Sequence, residues 1–202
     1  MKNYRISEIL YIVIALISIK EAYVLWEIRP NKAYLFLGFA VFFFQGCTGI
    51  PQGIKPIEKL DFERYQGKWY EIARTPNRFE TGLEKISAIY TLNPDGTVTV
   101  VNRGFNPERN QWKEAIGLAK PVKSSAPGHL KVSFWGPFYS SYIVFELGPD
   151  YDYAFVCGYT KEYLWLLARK PKVSEAVWAH FLETAKALGF DTHQLISRQN
   201  KA

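Results

Sequence analysis

The side chains able to do covalent or metal chemistry are few in this 202-residue chain, which has two cysteines and three histidines. It contains no Gly-x-Ser-x-Gly elbow, no His-Glu-x-x-His motif and no paired-cysteine metal spacing. His129, His180 and His193 are too separated to suggest a triad or a metal site. Cys157 sits inside the apolar run Tyr153-Ala154-Phe155-Val156-Cys157, where a thiol is expected to act as a small buried hydrophobe. Enzymatic activity would need that thiol to be accessible and of low pKa. What remains is non-covalent chemistry, for which 13 Tyr, 14 Phe and 6 Trp supply ample aromatic surface.

The formal charge is +6, and from residue 47 onward it comes from 20 Lys/Arg against 16 Asp/Glu. These bases are scattered, with no Lys/Arg run to track phosphates, so no nucleic-acid partner is expected. Nothing in the pattern asks for a metal or another cofactor.

The elements that must position the aromatics begin at Gly67-Lys68-Trp69-Tyr70-Glu71-Ile72-Ala73-Arg74, the first strongly patterned strand. A buried Trp69 needs neighbours for its ring and an acceptor for its indole N–H. Further short strands follow at 87–92, 97–102, 112–119, 130–135, 142–147, 153–157 and 163–168, separated by turn signals such as Asn93-Pro94-Asp95-Gly96 and Gly148-Pro149-Asp150. Eight antiparallel strands in neighbour order close most simply into an up-and-down barrel, which removes exposed edges. Residues 61–65 read as a helical turn that plugs one end, and 75–84 as a functional loop. Ser174 can N-cap a late helix that carries one apolar stripe and stops at Gly189, so it should pack outside the sheet.

Alternation along closed strands assigns faces. Trp165, Leu167 and Arg169 share one face, and a cation that ends an apolar face suggests stacking on an indole. Trp165 is then placed inward, and Val132 and Phe134 line the wall if Lys131 and Ser133 face water. Glu71 shares the face of Trp69 and would need a partner or water if buried. Tyr139 follows a Gly-Pro break near a barrel mouth.

Two apolar runs, 9–19 and 33–44, precede the body, and each is shorter than the ~20 residues a membrane-spanning helix needs. Arg29 and Lys32, the second run, and Gly46-Cys47 have the layout of a secretory signal peptide, and the ending resembles a bacterial lipobox. The expected division is a targeting segment at 1–46, a lipidated Gly/Pro-rich tether at 47–56 and a folded domain at 57–202. The resemblance implies acylation of Cys47, and Thr48 in place of Asp favours the outer membrane over inner-membrane retention. A retained membrane anchor is the alternative. The run 9–19 is surplus to a normal leader and leaves a translation start near Val24 or Leu25 open.

Three stretches together resemble the lipocalin family. Gly67-Lys68-Trp69-Tyr70 is similar to its first motif, Pro149-Asp150-Tyr151 to its second, and Leu164-Trp165-Leu166-Leu167-Ala168-Arg169 to its third. The runs 78–85 and 131–139 look like those of bacterial outer-membrane lipocalins, relatives of apolipoprotein D. The second motif departs from the pattern, with Pro149 where Thr is usual. The resemblance implies an all-β fold, an eight-stranded antiparallel calyx with a C-terminal helix outside. Its cavity would take a fatty acid, lysophospholipid or related lipid at the periplasmic face of the outer membrane. Gly67, Trp69 and Arg169 would be structural; Trp165, Tyr139, Phe134, Val132 and Glu71 are the ligand candidates. Still open are a homodimer, an envelope structural or interaction lipoprotein with a side-chain-filled barrel, and a lipocalin-type enzyme working through Cys157.

Overall fold

A computed structural model describes residues 17, 20, 23, 48–135 and 138–199; Cys47, its proposed lipidation and nearly all of both N-terminal apolar runs lie outside the described residues. No described helix is long and apolar enough to cross a membrane.

The eight expected strands are present: β1 Gly67–Arg74, β2 Glu84–Leu92, β3 Val98–Asn106, β4 Gln111–Pro121, β5 His129–Trp135, β6 Phe138–Leu147, β7 Tyr153–Cys157 and β8 Leu164–Ala168. Each pairs antiparallel with the next. Strand β1 closes the ring, its first half pairing with β2 (Gly67 with Tyr90, Tyr70 with Ser87) and its second half with β8 (Tyr70 with Ala168, Arg74 with Trp165). Closure satisfies the backbone groups that an edge would expose.

A ninth strand, β9 Ile196–Ser197, was not anticipated, because two residues are too few to show a period. It pairs with Ala73 and Arg74 of β1, and the next residue, Arg198, donates its backbone N–H to the Ile72 carbonyl at 2.8 Å. The Gln199 carboxamide bonds Val173 through both its ends, at 2.8 and 3.2 Å.

Two helices flank the sheet. Helix α1, Phe62–Tyr65, is capped by Asp61, whose carboxylate accepts from the amides of Glu63 and Arg64. Helix α2, Glu175–Ala187, starts at Ser174 as expected, and Gly189, at φ +79°, ends it. Phe181 and Ala185 of α2 pack on Ile72, Ile143, Phe155 and Leu166, the outward side chains of the barrel, forming one core. A second core fills the barrel's closed end around Trp69, Tyr65, Tyr90 and Val144.

That closed end turns on two residues. Trp69 is fully buried, its indole donates to the Tyr65 carbonyl at 2.7 Å, and the Arg169 guanidinium lies 4.0 Å from its ring centre. The same guanidinium donates to the carbonyls of Arg64 (2.6 Å), Tyr65 (3.1 Å), Lys68 (3.1 Å) and Tyr151 (3.2 Å). Gly67 adopts φ +92°, and an added Cβ would make an ordinary contact with the Arg169 guanidinium at 3.4 Å. A side chain there would strain the backbone.

The Gly/Pro-rich segment before the barrel is docked from Gly49 onward. The Gly49 carbonyl accepts from the Ser141 hydroxyl at 2.7 Å, Ile54 is buried in the outer core, and the Ile57 backbone bonds Val144 and Gly128 at 3.0 Å each. Carbonyl and amide contacts of this kind leave no apolar period in the sequence.

Removing the indole should cost stability before anything else. Trp69→Ala is expected to lower the free energy of urea unfolding by about 3–5 kcal/mol, the usual penalty for emptying a large aromatic site in a core.

Candidate functional site

Strand β1 runs from the closed end toward the open end, and a β-bulge interrupts it between Glu71 and Ala73. Ile72 and Ala73 both face outward into the core beneath α2, so Arg74 returns to the interior face beside Glu71. Strict alternation would have turned Arg74 away. The bulge therefore puts two charged side chains, three positions apart, on the inner wall.

The Arg74 guanidinium donates to the Glu71 carboxylate and to the carbonyls of Glu80 (3.2 Å) and Leu83 (3.4 Å). Its Nε lies 3.5 Å from Glu80 Oε2. Asn77 and the Trp165 indole also donate to Glu80 Oε2, the latter at 3.2 Å. A loop carboxylate, a strand pair and an inward indole thus form one buried polar cluster in the open-end half of the barrel. The loop 75–83 is fixed to the wall by it.

Two carboxylates share a single guanidinium here, so one negative charge is left uncompensated in a buried place unless a proton is retained. Burial, aided by the Glu80 charge, pushes the Glu71 carboxyl up to about 8 against the opposing pull of Arg74. Glu71 accordingly holds a proton at neutral pH.

The floor beneath is aromatic and neutral. The Tyr142 hydroxyl bonds those of Tyr65 (2.7 Å) and Tyr90 (2.9 Å), and burial raises all three phenols above their usual ionisation range. Small side chains at Ala88, Ala119 and Ala154 face the same core, and Gly117 lies on the inner face beside them.

The expected site residues separate into two groups. Trp165 and Val132 belong to the interior set, and the Trp165 ring stacks on Tyr163 at 6.1 Å with 11° between planes. Phe134 lies on the same face, its ring where a Gly117 Cβ would need to be (2.8 Å), and is 42% exposed toward the open end. Glu71 is inward and buried, with Arg74 as its partner. Tyr139 does not join them. The pairing of Val132 with Ser140 puts Ser140 on the inner face and Tyr139 outside, where the ammonium groups of Lys120 and Lys131 stand 4.5 and 5.4 Å from its ring. Ser133 shares the outer face but is buried rather than facing water, its hydroxyl accepting from the Trp135 amide at 3.3 Å.

Arg74, Glu80, Asn77 and the tyrosine trio were not singled out from the sequence. The adjacent apolar pair Ile72-Ala73 inside an alternating strand was the one available signal for the bulge, and so for Arg74. The histidines stay apart: His129 bonds Ser141 at 3.1 Å, His180 contacts Glu146, and His193 is exposed on the far side of α2 in sequence. Among the described residues no group of His, Cys, Asp or Glu could hold a metal ion. Cys157 is buried and its thiol is pushed up to about 12.

The retained proton has a measurable consequence. Because the folded-state value for Glu71, about 8, lies above the ordinary 4.5, the folded chain binds a proton that the unfolded chain releases. This stabilisation is complete below pH 4.5 and is lost as pH rises through 8. Glu71→Gln, which mimics the protonated carboxyl, should flatten that decline and be more stable than the parent above pH 8, as read by thermal melts across the range.

Known proteins share this architecture. A family model described as a lipocalin-like domain matches residues 60–200. The outer membrane lipoprotein Blc of Vibrio cholerae is 46% identical over 168 residues, covering 83% of this chain and 98% of that protein. Mouse apolipoprotein D is 30% identical over 146 residues, covering 68% and 76%. Insecticyanin from the tobacco hornworm superposes with a TM-score of 0.61 at 20% identity over 74% of this chain and 85% of its own, a likeness of fold alone. With the closed eight-stranded barrel, the flanking helix and a family match over most of its length, the chain belongs to the lipocalin family.

Proposed function

We propose that this protein binds a single-chain amphiphile, a fatty acid or lysophospholipid, in the barrel and stores or carries it at the periplasmic face of the bacterial outer membrane. The observation that carries this reading is the buried Glu71–Arg74–Glu80 cluster set in the wall of an otherwise apolar bore. An acyl chain suits an inner face lined by the small side chains of Ala88, Ala119 and Ala154, and a polar head suits Arg74 and Trp165. The location rests on relatives named as outer membrane lipoproteins and on Cys47 following an apolar run, as an acylated anchor would. Binding is favoured over catalysis because the candidate nucleophile, Cys157, is buried and protonated.

In this mechanism the cluster selects the head. With Glu71 protonated, Arg74 is balanced by Glu80 alone, and an anionic carboxylate or phosphate can approach the guanidinium without meeting a second fixed negative charge. Ionisation of Glu71 removes that condition. The Trp165 face supplies apolar contact where head and chain join.

Titration of the purified protein with palmitic acid or lysophosphatidylethanolamine should give a saturable change in tryptophan emission. Arg74→Ala should weaken palmitate binding about tenfold or more, the usual worth of a hydrogen bond to a charged group. Trp165→Ala should weaken binding more than it lowers the unfolding midpoint. Affinity for palmitate should also fall as pH rises through 8, and Glu71→Gln should abolish that fall. No saturable change and no co-purifying lipid would mark the barrel as filled and the protein as a structural component of the envelope.

A further inference from the structure

The two ends of the barrel expose different side chains. The closed end carries the turns at 93–97, 122–126 and 148–152, and none of them shows an exposed large hydrophobic residue. At the open end, the β1–β2 loop exposes Phe79 (67%), the start of β4 exposes Trp112 (47%), and the β5–β6 hairpin exposes Trp135 (66%) and Phe138 (38%). Three successive connections at one end thus present aromatic surface to solvent. A concentration of this kind marks an interaction surface rather than the ordinary scatter of exposed apolar groups.

We propose that the open end docks on the surface of an anionic phospholipid bilayer, with Phe79, Trp112 and Trp135 entering the interface. Three features argue for a lipid surface over a protein. The rim pairs its aromatics with cations: Arg78 lies 4.9 Å over Phe79, Arg103 4.5 Å over Trp112, and Lys85 5.4 Å over Phe105, which packs on Trp112. Arg103 also meets Glu114 at 3.6 Å. Tryptophan flanked by Lys or Arg is the side-chain set that settles at headgroup depth. Finally, the docked segment before β1 climbs toward the same end, from Ile57 at Val144 to Gly49 at Ser141, three residues nearer the Phe138 turn. Gly49, at the start of the described segment, thus lies on the open-end side of Ile57.

Docked in this way, the mouth would face hydrocarbon directly, and an amphiphile could enter or leave without crossing water. The docking itself does not depend on which cargo the barrel holds, or on its holding one.

The test uses the full-length chain reconstituted in vesicles of phosphatidylethanolamine and phosphatidylglycerol with brominated acyl chains, in a Trp26→Phe background so that the N-terminal segment contributes no signal. Bromine quenches indoles that reach the acyl boundary. The expected result is strong quenching that is mostly lost when Trp112 and Trp135 are both replaced by Phe, and unchanged by Trp178→Phe on the outer helix. Circular dichroism confirms that these conservative variants fold. Quenching that is absent, or that survives the double replacement, overturns the proposal. So does a Phe79→Ser/Trp135→Ser protein that leaves quenching of the remaining indoles unchanged while converting a dimer to a monomer in sedimentation velocity. That outcome would make the rim an interface between copies of the chain. Loss of palmitate binding with quenching intact would refute the cargo and leave the docking standing.

Discussion

One guanidinium holds the closed end together. Helix α1 is a single turn, too short to satisfy its own carbonyls, and the chain then reverses at Gly67 into β1. Arg169 gathers the loose carbonyls of Arg64, Tyr65 and Lys68 and adds that of Tyr151 from the β6–β7 turn, while its flat face covers the buried Trp69 ring. A planar fork with five fixed donors can do this, and a lysine ammonium cannot. These contacts, with the Asp61 amide on the Tyr151 hydroxyl (3.0 Å), the Arg64 guanidinium 4.1 Å over the Tyr151 ring and the Arg169 amide on the Asp152 carbonyl (2.8 Å), secure the plug, the first strand and the last strand as one unit.

The open half follows a different logic, in which a local irregularity creates the chemistry. A regular β1 would send Arg74 to the outer core beneath α2, among Phe155 and Phe181, where an unpaired cation is costly. The bulge exchanges that conflict for an inward ion cluster with one proton too many for its ordinary acidities. Bulges are often found where a side chain must be re-aimed near a site, and this one decides which face of the strand Arg74 serves.

Much of the fold was legible because it rests on periods. Eight strands and the capped helix followed from alternation and turn residues, and the cover of Trp69 by Arg169 from the resemblance of their two stretches to the family's motifs. Within the site, Trp165, Val132, Phe134 and Glu71 face inward as parity required. Parity counted across an irregularity was not reliable. Arg74 takes the inner face because of the bulge in β1, and Tyr139, singled out for its place after a Gly-Pro break and not by parity, stands on the outer wall next to the inward Ser140. The docked segment from Gly49 to Ile57 and the two-residue β9 were illegible for another reason. Both are held by main-chain carbonyls and amides, which every residue carries and no composition reveals.

The short strand β9 ties the mouth to the end of the chain. By pairing with Ala73 and Arg74 and giving the Arg198 amide to the Ile72 carbonyl, it supplies hydrogen bonds to the backbone exactly where the bulge has taken β1 out of its regular ladder. Gln199 then fastens the tail to the start of α2 through Val173. The final residues are therefore part of the scaffold that aims Arg74. A change that removed or displaced Ile196 to Gln199 would therefore reach Arg74 through this clamp, although none of those residues touches it by a side chain.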